Sequence, residues 1–262
     1  MSLKGKTALV TGSTGGIGEA FARAFAQAGC NVVINGFGDR QAIDELRSEL
    51  EAHGGGVLYH GADVGKADDI ETMFKEAQTR FGGIDILVNN AVTRHYAPVE
   101  EFPVDKWERA LAVNLSAAFH TIRLAVPGMK KRNWGRIINM ASIHATKVVR
   151  DRVDYVTTKH AIVGLTRAVA LEVAQTGITC NALSPGLVLT PHAEAMLARK
   201  MTDSGRTRED ALRELMDARQ PSRRAIAPSE VAAFGLFLCS DEAANISGAA
   251  LPIDGAWAIS CD

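Results

Sequence analysis

Short, almost wholly apolar segments alternate with longer amphipathic segments along most of the chain, and this alternation restricts the fold more than any other feature. The apolar segments read as strands buried on both faces, and they cover residues 7–11, 30–35, 57–61, 84–89, 136–141, 178–183 and 249–253. Apolar residues three and four positions apart predict helices at residues 20–28, 39–52, 66–81, 104–131, 154–176 and 228–238. The sequence therefore predicts an α/β fold, a doubly wound parallel sheet of about seven strands covered by helices on both faces.

Length, charge and the first residues narrow the class of protein. A chain of 262 residues with 47% hydrophobic residues can bury one large core, so residues 1–262 are predicted to form a single domain. The formal net charge is -1 and the two signs are mixed, so no basic stripe indicates nucleic acid as a partner. Residues 1–10 lack the features of a signal peptide, so we expect a cytoplasmic protein with no membrane partner.

The four cysteines give no sign of a metal centre. Cys30, Cys180, Cys239 and Cys261 form no Cys-x-x-Cys pair, and no histidine stands at zinc-ligand spacing around them. We therefore predict no metal and expect all four thiols to be reduced.

Residues 187–227 break the alternation, because their pattern is helical but strongly charged. A solvated helical hairpin is one interpretation of such a segment. Its position directly after a predicted strand favours another, since open α/β sheets bind ligands beyond the carboxyl ends of their strands. We interpret it as a helical substrate lid inserted into the domain.

The glycine run TGSTGGIG occupies residues 11–18, after an apolar strand and at the start of a helix. In that context Gly12 permits a tight turn, Gly16 allows the backbone to approach a pyrophosphate, and Gly18 allows close packing of helix and sheet. The start of the helix attracts the anion. A lone glycine cluster could be a simple turn, but these flanks predict a Rossmann-type dinucleotide site.

Tyr155 and Lys159 stand four positions apart, so their side chains can meet on one face of a helix. A tyrosine phenol titrates near 10, which is too high for acid–base work at neutral pH. An ammonium roughly 4 Å away in a partly shielded site is worth about 4 kcal/mol, or about three pK units. Lys159 can therefore make Tyr155 a usable general acid or base.

The glycine run, the triplet at residues 89–91, and Ser142 with Tyr155 and Lys159 resemble the short-chain dehydrogenase/reductase family over essentially the whole chain. The resemblance implies an oxidoreductase with a nicotinamide cofactor. In it, Ser142 orients the substrate oxygen, Tyr155 is the acid or base, and Asn114 completes a proton relay. Taken singly, each of these side chains would more commonly serve the structure alone.

The same resemblance implies a set of cofactor contacts. Asp63 and Val64 would contact the adenine, Phe37 would pack near the adenosine, and Lys159 would hold the nicotinamide ribose. The full implied set is Gly12, Thr14, Gly16, Ile17, Gly18, Phe37, Asp63, Val64, Asn90, Tyr155, Lys159, Pro185, Gly186, Val188 and Thr190.

The choice between NAD and NADP stays open in the local sequence. The second strand ends without the acidic residue that would bond the ribose hydroxyl; Asp39 lies slightly late, and Arg40 could accept a 2′-phosphate. The resemblance favours NAD.

Residues 33–38, 97–107 and 134–139, with Trp257, resemble a narrower group of this family, the D-3-hydroxybutyrate dehydrogenases. That resemblance implies reversible, NAD-dependent oxidation of (R)-3-hydroxybutyrate to acetoacetate by a homotetramer. Two alternatives stay open. One is a reductase of another 3-oxo acid, acyl thioester or neutral carbonyl; the other is a non-catalytic dinucleotide-binding regulator, which would have no use for the proton-transfer set.

The chain departs from that group around the substrate. Arg94 replaces a glutamine, Arg152 a lysine, Leu187 a tryptophan, Met196 a glutamine, and Val92 a glycine. Guanidinium groups suit a carboxylate, although Arg94 could equally be a solvated loop residue. The smaller Leu187 predicts a pocket that accepts longer or branched 3-hydroxy acids. The predicted substrate contacts are Arg94, Ser142, His144, Arg152, Tyr155, Leu187, Met196 and Trp257.

Overall fold

The structure is a computed structural model that describes residues 3–217 and 219–260. All seven apolar segments form strands of one parallel sheet. The strands are β1 Thr7–Val10, β2 Asn31–Asn35, β3 Val57–His60, β4 Ile86–Asn89, β5 Gly135–Met140, β6 Ile178–Pro185 and β7 Ala250–Ile253. Their order in the sheet is β3-β2-β1-β4-β5-β6-β7. Strands β1 to β3 are added toward one edge and β4 to β7 toward the other, so the strand order reverses between β1 and β4. Such a switch point opens the crevice in which these sheets bind ligands.

Helices cover both faces of the sheet, as the apolar pattern predicts. The helices are α1 Gly16–Gln27, α2 Arg40–Glu51, α3 Ala67–Phe81, α4 Val104–Leu111, α5 Ala117–Arg132, α6 Val153–Glu172, α7 Pro191–Ser204, α8 Arg208–Asp217 and α9 Pro228–Leu238. Side chains of α1, α2 and α9 share one buried cluster with Val10, whereas those of α3, α5 and α6 share another with Leu9. Successive residues of β1 thus face opposite layers, which explains why its sequence is apolar throughout.

One predicted helix, residues 104–131, is interrupted. Between α4 and α5 the segment Ala112–Ser116 is a π-helix, a local widening that often occurs at functional sites. Among the described residues, Val104–Arg132 is also the one helical run long and apolar enough to cross a membrane by length and composition. It packs against α3, β4 and β5 instead, so it is a core helix of the sheet's second layer.

Residues 187–227 form a helical hairpin of α7 and α8 with a small core of its own, built around Leu197, Leu215 and Met216. The two ends of this hairpin lie side by side, because Val188 and Ile226 form a parallel β-bridge and Leu189 N donates to Ile226 O at 2.9 Å. The hairpin therefore starts and ends at the carboxyl end of β6.

Candidate functional site

The glycine loop joins the end of β1 to α1 and leaves backbone donors available. Gly12 and Gly16 have φ values of 62° and 58°, which favour glycine. A Cβ on Gly18 would lie 2.2 Å from Gly12 O, so the close contact of helix and loop requires glycine there as well. Among the described residues no side chain caps the start of α1, so its N–H groups can receive an anion. This backbone fits a cofactor pyrophosphate.

Asn90, directly after β4, braces this loop. Its Nδ2 donates to Thr11 O and Gly12 O, both at 2.9 Å, and its backbone N donates to Thr11 Oγ1 at 2.9 Å. Thr14 Oγ1 donates to Phe37 O at 2.8 Å, which ties the end of β2 to the same loop. Phe37 is 64% exposed, so its ring is accessible for the predicted adenosine contact.

The end of β2 presents no carboxylate to a ribose. Asn35 is buried and its Nδ2 donates to His60 O at 3.0 Å and Ala62 O at 2.9 Å. Asp39 accepts from Ala42 N at 3.0 Å and thereby caps α2. The side chain of Arg40 is 96% exposed.

Asp63 and Val64, which follow β3, are held by protein contacts. Arg109 donates both ends of its guanidinium to the Asp63 carboxylate, at 2.7 and 3.0 Å, and this pairing lowers the pKa of Asp63. Val64 is buried against Ile70 and Val113. Their contact with an adenine stays a prediction.

The nicotinamide end of the predicted site lies where β6 meets the hairpin of α7 and α8. Pro185 ends β6, and a Cβ on Gly186 would lie 2.7 Å from Gln220 Oε1. Thr190 caps α7 through its Oγ1, and its methyl group lies 3.4 Å from where a Cβ on Gly16 would be. The start of α7 therefore lies against the glycine loop, where Ile17 is the second residue of α1.

Tyr155 and Lys159 project from α6 toward Ser142, which follows β5. Tyr155 and Lys159 are 8% and 4% exposed, and the Lys159 Nζ lies 5.4 Å from the centre of the Tyr155 ring and donates to Met140 O at 2.5 Å. Burial alone would raise the pKa of Tyr155. The charges of Lys159 and Arg94, a hydrogen bond with Ser142 and the charge of Arg152 outweigh it and lower that pKa to about 8. Burial in turn lowers the pKa of Lys159.

Asn114 lies in the π-helical turn and is buried beside this pair. Its Oδ1 accepts from Thr93 N at 2.8 Å and its Nδ2 donates to Thr93 O at 3.1 Å, so its side chain fixes the loop that follows β4. A cavity of about 10 Å³ is lined by both Asn114 and Lys159, and this is roughly the volume that one water needs. The relay role implied for Asn114 stays a prediction.

Arg152 lies against the ring of Tyr155. Its guanidinium is 4.2 Å from the centre of the Tyr155 ring and 4.5 Å from that of Tyr96, and Nη1 donates to the Tyr96 hydroxyl at 3.1 Å. Its Nε and Nη2 are buried without a partner among the described residues. Arg94 is exposed and lies 5.5 Å from the same Tyr155 ring. Buried guanidinium donors without a partner suit a carboxylate.

The ring of His144 lies between the rings of Tyr155 and Trp257. Its ring lies edge-on to Tyr155 at 6.1 Å and to Trp257 at 5.8 Å. Nδ1 lies 3.2 Å from Lys147 O and donates to it, and burial lowers the pKa of the ring. A neutral imidazole with this tautomer has only an acceptor at Nε2, so the predicted carboxylate contact requires that His144 take up a second proton.

The remaining predicted substrate residues belong to the lid. Leu187 is partly buried and packs on the lid core, and its backbone N donates to Gln220 Oε1 at 3.1 Å. Met196 is partly buried on α7. Their contact with substrate and the predicted enlargement of the pocket stay predictions.

Three residues beside the site were missed by sequence analysis. Tyr96 stacks on Arg152 as described. Asp154 is 1% exposed, and its Oδ2 accepts from His95 N at 3.3 Å while Oδ1 has no partner among the described residues. Arg219 is partly buried just after α8. A charged residue in a charged helical segment has the pattern of a solvated one, so no sequence signal distinguished Arg219.

No metal centre is found in the described part of the chain, where no three acidic, histidine or cysteine side chains form a group able to hold an ion. Cys30, Cys180 and Cys239 are free and buried, and burial raises the pKa of the Cys30 and Cys180 thiols to about 12. Thiols in this state are unreactive. Cys261 lies outside the described residues.

The chain is similar to known reductases and dehydrogenases in its family profile, in its whole-chain sequence and in its structure. The profile of a family described as "Enoyl-(Acyl carrier protein) reductase" matches residues 12–257. The chain is 48% identical over 257 residues to a D-beta-hydroxybutyrate dehydrogenase of Cupriavidus necator, covering 97% of this chain and 98% of that one. It is 47% identical over 253 residues to a D-beta-hydroxybutyrate dehydrogenase of Rhizobium meliloti, covering 96% and 98%. An L-sorbose reductase of Gluconobacter frateurii, solved with NADPH and L-sorbose, superimposes with a TM-score of 0.94 at 33% identity and covers 99% of each chain.

Proposed function

This chain belongs to the short-chain dehydrogenase/reductase family, and we propose that it transfers a hydride reversibly between NAD and a short 3-hydroxy acid. One observation carries the proposal. The phenol of Tyr155, with its pKa lowered to about 8, is buried beside Ser142 and Lys159 and also touches the guanidinium of Arg152, whose buried donors lack a partner. Proton transfer at a hydroxyl and recognition of an acid group therefore belong to one pocket.

The glycine loop would hold the cofactor at its pyrophosphate, and Lys159 and the residues that follow β6 would hold its nicotinamide end. When bound, it supplies the acceptor for the hydride. During oxidation the Tyr155 phenolate removes the proton of the substrate hydroxyl, and Ser142 donates a hydrogen bond to the same oxygen. Lys159 stabilises the phenolate, and the small cavity lined by Asn114 and Lys159 has room for one water that would accept the proton. Arg152, with Arg94, holds the carboxylate so that C3 of the substrate is correctly oriented.

We propose (R)-3-hydroxybutyrate, with acetoacetate as product, as the reference substrate. The two D-beta-hydroxybutyrate dehydrogenases that the chain matches over nearly their whole length support this choice. The test is to incubate the purified protein with oxidised cofactor and a graded series of (R)-3-hydroxy acids while following cofactor reduction. Turnover of these acids supports the proposal, whereas turnover confined to sugars or neutral alcohols would overturn it.

We predict a preference for NAD over NADP of at least about tenfold in kcat/KM. The Asp39 carboxylate occupies the start of α2, the place where a helix would otherwise attract a 2′-phosphate. Rates measured with both cofactors at saturating acid would check this. Asp39→Ser keeps a capping oxygen and removes the charge, so it should raise the use of NADP. Equal use of both cofactors by the unaltered protein would contradict the assignment.

We also predict that oxidation depends on a group with a pKa near 8. Oxidation requires the ionised Tyr155, whose pKa is about 8. kcat/KM should therefore fall about tenfold for each pH unit below that value and level off above it. Arg94→Gln removes one of the charges that lower this pKa, so the inflection should move upward. The exposed Arg150 on the nearby loop provides a control, and Arg150→Gln should leave the inflection in place.

We propose that the protein is a cytoplasmic homotetramer that acts on small molecules. Large exposed apolar side chains on the outer helices support self-association; Phe119 on α5 is 51% exposed, Leu171 on α6 is 80% exposed and Phe237 on α9 is 44% exposed. Light scattering during size-exclusion chromatography would test the proposal, and a monomer at micromolar concentration would contradict it.

A further inference from the structure

The pocket beside Tyr155 contains more positive charge than a single carboxylate needs. Arg152 and Arg94 lie 4.2 and 5.5 Å from the centre of the Tyr155 ring. A third arginine, Arg219, lies just after α8, and its charge lowers the pKa of His144.

Arg219 is held in place by its neighbour in the chain. Gln220 is 1% exposed, accepts from Leu187 N at 3.1 Å through Oε1 and donates to Arg224 O through Nε2. These bonds tie the end of the lid to its beginning. The backbone at Arg219 is therefore anchored to the hinge rather than carried on a free loop.

Arg219 lines a cavity of about 220 Å³ together with Trp257, Gln220 and Ser260. Trp257 lies edge-on to His144 at 5.8 Å, and His144 lies edge-on to Tyr155 at 6.1 Å. The cavity therefore adjoins the two aromatic rings next to Tyr155, on the side toward which the far end of a substrate with its hydroxyl at Tyr155 can extend.

The charge of Arg219 is not neutralised within the described part of the chain. No ion pair or side-chain hydrogen bond of Arg219 is found there, and Asp217, the acidic residue that lines the same cavity, pairs with Arg223 at 2.9 Å. Burial lowers the pKa of Arg219; Tyr96 opposes this shift, and the charge of Arg152 adds to it. A similar excess of positive charge surrounds His192, whose pKa is lowered by burial and by the charges of Arg94 and Arg152. Such cations destabilise one another until an anion binds between them.

We propose that the substrate is a 3-hydroxy acid with a second anionic group, whose first carboxylate binds Arg152 and Arg94 and whose second anionic group binds Arg219. This inference rests on the proposed function and specifies its substrate class. If Arg219 only attracted anions from a distance, it would favour any acid and would not distinguish where the second charge lies. A binding role, in contrast, requires the second charge and Arg219 together.

The experiment compares 3-hydroxybutyrate with 3-hydroxyglutarate, which carries a second carboxylate, and with the monomethyl ester of 3-hydroxyglutarate. The unaltered protein should prefer the dicarboxylate over the other two by at least about tenfold in kcat/KM, as a charge-assisted pair allows. Arg219→Gln should abolish that preference and leave kcat/KM for 3-hydroxybutyrate within a few fold. Arg199→Gln, a change to an exposed arginine of α7 outside the lining of this cavity, should leave the preference intact.

Calorimetry with two inert acids separates the failure of this inference from that of the proposed function. Glutarate should bind the unaltered protein at least about tenfold more tightly than butyrate, and Arg219→Gln should remove the difference. If 3-hydroxybutyrate is oxidised but neither the dicarboxylate nor glutarate is preferred, the second anion site is wrong and the proposed function stands. If no 3-hydroxy acid is oxidised, the proposed function is wrong, and calorimetry still decides whether Arg219 binds an anion; equal binding of glutarate and butyrate overturns the site.

Discussion

Replacing Tyr155 by Phe is expected to remove nearly all turnover while cofactor affinity stays within a few fold. The substitution deletes only the hydroxyl that transfers the proton. The ring that Arg152 and His144 contact remains, and so does the Lys159 ammonium. General acid or base groups contribute typically 10²- to 10⁴-fold to the rate, so kcat should fall by about that factor.

Single-turnover rates and cofactor titrations on the same preparation would measure the two effects separately. Lys159→Ala should differ from Tyr155→Phe by damaging both, because Lys159 is proposed to hold the ribose as well as to lower the pKa of the phenol. Thermal unfolding of both variants would show whether the fold is kept. Retention of more than about a tenth of the rate by Tyr155→Phe would show that another group transfers the proton.

The fold was predictable because burial on both faces of a parallel sheet leaves a clear mark in the sequence. Leu9 and Val10 face opposite helical layers, so neighbouring positions of β1 must both be apolar. Two features left no such mark. The first helix begins at Gly16, although the helical pattern starts only at Ala20, because glycines hide its first turn. The π-helical turn at Ala112–Ser116 changes the hydrogen bonding but not the residue types.

The candidate site was predictable where local structure alone sets the spacing. Tyr155 and Lys159 share one face of α6, and the glycine loop connects one strand to one helix, so sequence distance translates directly into position. Arg219 reaches the pocket only because the lid returns to β6 through the bridge between Val188 and Ile226. The state of His144 depends on the carbonyl of Lys147, which a residue pattern does not specify.

Truncating Arg152 to Ala should lower kcat/KM for a 3-hydroxy acid by about 1.5–3 kcal/mol, which is roughly ten- to a hundredfold or more. Its Nε and Nη2 are buried without a partner among the described residues, and its guanidinium lies 4.2 Å from the centre of the Tyr155 ring. A carboxylate bound there is held beside the proton-transfer group. Removing the guanidinium leaves that carboxylate short of a partner and lets C3 of the substrate move, to which hydride transfer is sensitive.

Arg152→Lys should recover part of this loss, because the charge returns without the planar fork of donors. Arg150→Ala, which removes an exposed arginine of the same loop, should have little effect.

The acid, its methyl ester and a chain-length series should be compared on the unaltered protein and on Arg152→Ala. The acid should be strongly favoured over the ester only while Arg152 is present, since the ester carries no charge to pair. Because Leu187 replaces a larger tryptophan, acids of five or six carbons should be accepted at least as well as the four-carbon one. Equal use of acid and ester by the unaltered protein would overturn the carboxylate assignment, and a sharp drop beyond four carbons would overturn the enlarged pocket.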